Sequence, residues 1–221
     1  MKSVLATTDG NDLRATTVAA ELGYLWSNLL QRGVGDGQRA IGFCAIGDGE
    51  GGNGLVGSLA LLLGSRGKQV ALVEATLRAA TLSPLFEVSG VPGLADVLAG
   101  RGELQDALRP QVAPGVDLVT AGAATDPFWG FTSDCFRELL DELLTTRDLC
   151  LVDVPALNRA PEAALVIRAL DAVVLVVEAN RHRAEVVRRN VALLRSLGTP
   201  FLGAVLTDLV HELPTRIARL C

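Results

Sequence analysis

Three groups of residues have types and spacings that could do chemistry. The first is Ile46-Gly47-Asp48-Gly49-Glu50-Gly51-Gly52-Asn53-Gly54, a glycine-rich run between an apolar stretch, Ala40–Ala45, and a helical one, Leu55–Ser65. Glycines let backbone N–H groups curl around an oxyanion, and a following helix adds partial positive charge at its start, so the run is a candidate phosphate cradle. A tight strand-to-helix connection would use the same glycines. Phosphoryl chemistry asks for more: a lysine reaching the terminal phosphates and a Ser or Thr hydroxyl for magnesium, directly after the glycine at Gly51. Gly52, Asn53, Gly54 and then Leu55 stand there instead, and Glu50 adds negative charge. The second and third groups are Glu74 and Asp153, carboxylates that end apolar runs. Without a loop hydroxyl, Asp153 would hold magnesium only weakly and through water. The other reading of Asp153 is a strand-end carboxylate that caps a turn.

These residues need a frame, and the chain supplies one. Short β-branched runs predict strands at Ala40–Ala45, Gln69–Val73, Val116–Thr120, Leu149–Asp153, Ala172–Val177 and Phe201–Leu206. They are mostly continuous apolar runs, as expected of parallel strands covered on both faces. Helical periodicity marks Thr16–Leu30, Leu55–Ser65, Leu94–Ala99, Ser133–Thr145, Pro161–Ala169 and His182–Leu197. Strands alternating with helices imply one α/β domain, a doubly wound and mostly parallel sheet flanked by helices. Gly33–Gly37 is expected to be a flexible joint between the first helix and the core at 40–210, and residues 1–13 to be loosely ordered.

Composition narrows the classes further. The 221 residues are 49% hydrophobic, yet charges interrupt every apolar run well before the roughly 18 residues of a membrane span. Asp9 and Asp12 interrupt the N-terminus, so no secretory signal is read there and a cytoplasmic location is expected. A net charge of −5 gives no overall footprint for nucleic acid. Cys44, Cys135, Cys150 and Cys221 form no C-x-x-C pair and read as buried free thiols rather than metal ligands. His182 and His211 have no acid or nucleophile beside them in sequence and receive no catalytic role.

From Ala20 to Asp208 the chain resembles the tyrosine autokinases of bacterial capsule and exopolysaccharide export, P-loop ATPases related to MinD and ParA. Gly49-Glu50-Gly51 is similar to the start of that family's Gly-Glu-Gly-Lys-Ser-Thr loop, and Ser58-Leu59-Ala60 to its Asn-Leu-Ala helix segment. Glu74-Ala75-Thr76-Leu77-Arg78 resembles the second Walker motif, Asp-Ala-Asp-Leu-Arg, and Asp148 to Pro155 resembles the Walker B strand. Gly93 to Gly100, Ala121-Gly122 with Asp126-Pro127, and Asp171 to Val177 follow in the family's order.

The departures fall on positions that the resemblance assigns to nucleotide. Glu74 keeps a charge one methylene longer than aspartate, Thr76 replaces the second carboxylate, and Thr207 with Asp208 stands where the family reads adenine with asparagine. On the first helix, Tyr24 and Ser27 occupy positions of the arginines that pair subunits in the family. Tyr24 is also the chain's only tyrosine, so trans-phosphorylation of a tyrosine-rich tail has no substrate within these residues. The resemblance therefore implies a catalytically degenerate, kinase-like partner in polysaccharide synthesis. Its implied partners are the cytoplasmic face of a polysaccharide co-polymerase or chain-length membrane protein, a catalytic paralogue or a synthase component. A peripheral place at the inner membrane face, and a homo- or hetero-oligomer, go with this reading. Two alternatives stand beside it: a slow ATPase or kinase using Lys68 or Arg78 as a relocated cation, and weak binding of ATP or ADP, with or without magnesium, or another anion, without turnover.

Overall fold

A computed structural model describes residues 11–47, 51–123 and 127–207, and their side chains except those of 11–17, 51–53 and 127. The N-terminal helix α1 spans Asn11–Leu30, so residues 11–13 are helical rather than loose. The strands are β1 (Ala40–Ala45), β2 (Val70–Glu74), β3 (Leu108–Ala113), β4 (Val116–Val119), β5 (Leu149–Val154), β6 (Ala172–Glu178) and β7 (Phe201–Thr207). The helices between them are α2 (Gly51–Ser65), α3 (Leu82–Leu85), α4 (Leu94–Leu98), α5 (Leu104–Ala107), α6 (Pro127–Gly130), α7 (Cys135–Leu143), α8 (Ala163–Arg168) and α9 (Ala184–Ser196).

The sheet runs β3-β4-β2-β5-β1-β6-β7, and every pairing is parallel except β3 with β4. All six expected strands form within a residue or so of the expected ends. The seventh, β3, was not legible because Pro110 and Gln111 interrupt it. It is an edge strand with a register irregularity, where proline and a positive-φ residue, Gln111 at 49°, are tolerated.

The central strands are buried along their whole length, with a separate apolar core on each face. On one face α1 and α2 cover Ile41, Phe43, Leu72 and Leu151, with Leu22, Leu29, Leu59 and Leu63 filling the space between. On the other, α7 and α8 seat Phe136, Leu140, Val166 and Ile167 against Val73, Val152 and Val173. Trp26 packs partly into the first core, while Tyr24, two residues earlier, is 74% exposed. Gly33–Gly37 is not a loose joint: Val34 is 2% exposed, its N–H bonds Leu29 at 3.2 Å, and it bridges to Gln38. Burying Val34 pins the connection to the core. The register of β1 is fixed at its start by Asp171, whose carboxylate accepts the N–H groups of Arg39 and Ala40 at 2.8 Å each.

The C-terminal end of α2 lies directly on the turn between β3 and β4. A Cβ built at Gly64 would fall 2.3 Å from the Pro114 carbonyl oxygen, and backbone cannot yield as a side chain can. Gly64→Ala is therefore expected to lower the unfolding free energy by about 1–3 kcal/mol, read from urea denaturation.

Candidate functional site

Parallel strands bring their carboxyl ends to one edge, and the order changes direction at β1, which lies between β5 and β6. Loops at such a switch point diverge and leave a crevice. Glu74 and Asp153 meet there as register partners at the ends of β2 and β5, 0% and 2% exposed. Thr207 pairs with Glu178 further along the same edge.

Glu74 is committed to holding the edge together. Its Oε1 accepts the N–H groups of Thr81 and Leu82 at 2.5 Å each and of Ser83 at 3.2 Å. Oε2 accepts the Ser83 hydroxyl and the Ala121 N–H, the latter at 3.1 Å. These five donors come from the start of α3 and from the segment after β4, so one carboxylate ties three stretches of chain. An acceptor so fully used has little left for a metal ion.

Asp153 lies inside β5 and is buried. Burial pushes its carboxyl up to about 7, the hydroxyl of Thr76 opposes this by donating to the charged form, and the Glu74 charge raises it again. Thr76 thus acts as a donor to Asp153. Cys44 in β1 is wholly buried with its thiol donating to the Pro155 carbonyl at 3.4 Å, and desolvation pushes it up to about 12. Cys150 is likewise buried and raised to about 12, chiefly by desolvation, so neither thiol is a nucleophile at neutral pH. Cys135 is exposed, unlike the buried thiol expected there.

Of the glycine-rich run, Ile46 and Gly47 follow β1, and Gly51, Gly52, Asn53 and Gly54 form the first turn of α2, which begins four residues before its expected start at Leu55. Asp48, Gly49 and Glu50 lie outside the described residues, as do Asp126, Asp208, His211 and Cys221. Gly47 has φ of 78°, and a Cβ built on it would lie 3.6 Å from Cε1 of His182. His182 therefore stands against the mouth of the run, between the exposed Arg181 and Arg183. Its signal in sequence was its place just after β6, the neighbour of β1, rather than any local motif. A Cβ at Gly54 would meet open space, Leu55 is partly buried against the core under α2, and Thr207 has a buried hydroxyl oxygen without a hydrogen-bond partner among the described residues.

The two candidate relocated cations separate cleanly. Lys68 precedes β2 and is exposed at the amino edge, the opposite end of the sheet, so it cannot serve this crevice. Arg78 is at the carboxyl edge, its Nε donating at 2.9 Å to Glu162, a buried residue just ahead of α8. Glu162 was missed in sequence because its partner is 84 residues away.

Glu74→Ala would strand buried N–H groups and is expected to destabilise by about 3 kcal/mol or more in denaturant unfolding, at about 1–3 kcal/mol for each unsatisfied group. A residue kept for metal would instead leave stability nearly unchanged. For Asp153 the folded state holds its proton more tightly than the unfolded chain does. Stability is thus full below about pH 4 and declines as pH rises toward 7, by on the order of 4 kcal/mol. Urea midpoints at pH 5 and 8 should show this slope, and Asp153→Asn should flatten it.

Comparison with known proteins gives the frame its relatives. No family model matches the chain. The tyrosine-protein kinase CpsD of Streptococcus agalactiae is 25% identical over 183 residues, which is 82% of this chain and 79% of that protein. The kinase domain of the Escherichia coli tyrosine kinase Etk superposes with a TM-score of 0.83 at 25% identity, over 89% of this chain and 78% of that one. MinD of Pyrococcus horikoshii, solved with Mg-ADP, superposes at 0.65 and 25% identity over 82% of this chain and 76% of its own. In sequence and in fold alike, the chain is similar to the bacterial tyrosine-kinase domains, and its mostly parallel sheet is the fold of the MinD-like P-loop ATPases.

Proposed function

We propose that this chain is a catalytically silent, tyrosine-kinase-like protein that acts by binding, as a regulatory or scaffolding partner in bacterial capsule or exopolysaccharide synthesis and export. One observation carries the reading: α2 opens on Gly52, Asn53 and Gly54, where a side-chain cation and a hydroxyl would have to stand. Phosphoryl transfer depends almost wholly on charge placed around the phosphates and on magnesium held at them. The surrounding carboxylates add support, since Glu74 is consumed by five donors and Thr76 offers Asp153 a hydroxyl in place of a second negative charge.

The partners that fit are the cytoplasmic segment of a polysaccharide co-polymerase, a catalytic paralogue or a synthase component, at the inner face of a membrane. Among the described residues no helix is long and apolar enough to cross one. The start of α2 favours a second, compatible reading, since the first N–H groups of any helix have no partner within it: the site still holds ATP, ADP or another anion without turnover.

Titration calorimetry with ATP and ADP, with and without magnesium, tests the loop. Native affinity should be weak, and a Gly52→Lys, Asn53→Ser double variant should bind magnesium-ATP about tenfold more tightly or better, the gain of one charge-assisted contact. Equal, tight binding by both chains would contradict the proposal. In its own cells the tagged chain should recover a co-polymerase, a kinase paralogue or a synthase. Recovery of none of the three would sink the scaffolding role.

A further inference from the structure

Glu162 is 1% exposed, and while its Oε1 accepts the Nε–H of Arg78 at 2.9 Å, its Oε2 is buried with no hydrogen-bond partner among the described residues. Arg78 is 56% exposed. A carboxylate taken out of water with one oxygen unsatisfied is unfavourable, and attraction to a half-solvated guanidinium recovers little of that loss. An apolar side chain at 162 would serve stability as well or better. What the pair does provide is geometry. The bond at Nε orients the guanidinium plane, and among the described residues its two terminal nitrogens make no hydrogen bond. That leaves an oriented, open pair of donors of the kind that matches two oxygens of one phosphate.

The placement puts this pair at the carboxyl edge of the sheet. Arg78 follows β2 and Glu162 follows β5, at the edge shared with the glycine-rich run, where Gly52 leaves no lysine. We propose that Arg78, positioned by Glu162, is an oxyanion-binding site for the phosphate group of a nucleotide or of a phosphorylated tyrosine. This inference rests on the reading of the protein as one that binds phosphate without transferring it.

Calorimetry of the full chain in the presence of a chelator, with inorganic pyrophosphate, ADP and O-phosphotyrosine in separate titrations, tests it. At least one should bind, tighter ADP pointing to a nucleotide and tighter phosphotyrosine to a modified side chain. Arg78→Ala should weaken that binding at least tenfold, and Arg78→Lys should fall between, since it keeps the charge but loses the fork. Glu162→Leu should weaken it as Arg78→Ala does while the thermal midpoint stays or rises, a split that a purely structural ion pair would not give. Absence of binding by the native chain, affinity unchanged in Arg78→Ala, or a Glu162→Leu chain that is destabilised would each overturn the proposal. ATP turnover by the native chain would overturn the silent-enzyme reading instead and leave these affinities as they are.

Discussion

The carboxyl edge of this sheet depends on one buried carboxylate. Glu74 ends β2 inside the protein, where an unsatisfied charge would be prohibitive, and the fold answers by bringing it donors from the start of α3 and from the segment after β4. The chain that leaves β2 must therefore turn so that Thr81, Leu82 and Ser83 point their N–H groups back at the strand they came from. Ala121 is drawn in from the neighbouring strand's exit. The shape of the crevice above β2 follows from satisfying that single side chain.

This commitment has a chemical consequence. A phosphoryl-transfer site needs carboxylates free to face a metal ion, and cations to face phosphate. Here the first carboxylate faces inward to backbone, the second position holds the Thr76 hydroxyl, and Asp153 sits buried beside both, with its acidity weakened by loss of water. The length of the Glu74 side chain carries its carboxylate to the N–H groups at the start of α3.

Much of the frame was legible because parallel strands buried on both faces leave continuous β-branched runs such as Val70-Ala71-Leu72-Val73 and Ala172 to Val177, which no surface element imitates. The edge strand β3 was not legible, since an edge tolerates Pro110 and Gln111 and so loses its signature. In the site, the presence of glycine and asparagine at 52 and 53, with neither a cation nor a hydroxyl, could be read directly. The pairing of Arg78 with Glu162 and the approach of His182 to Gly47 could not, because both are made by strand order across long separations in sequence. The charge of Glu74 was visible, but its direction was not. Only the folded chain shows that its five donors lie on the interior side.

The proposed function separates a kinase-like frame from phosphoryl transfer. Turnover of radiolabelled ATP by the purified chain with magnesium, followed both as released phosphate and as label on protein, tests it most directly. The account predicts rates indistinguishable from those of the Asp153→Ala variant and of buffer alone. Turnover that is clear above buffer and abolished by Asp153→Ala would contradict it.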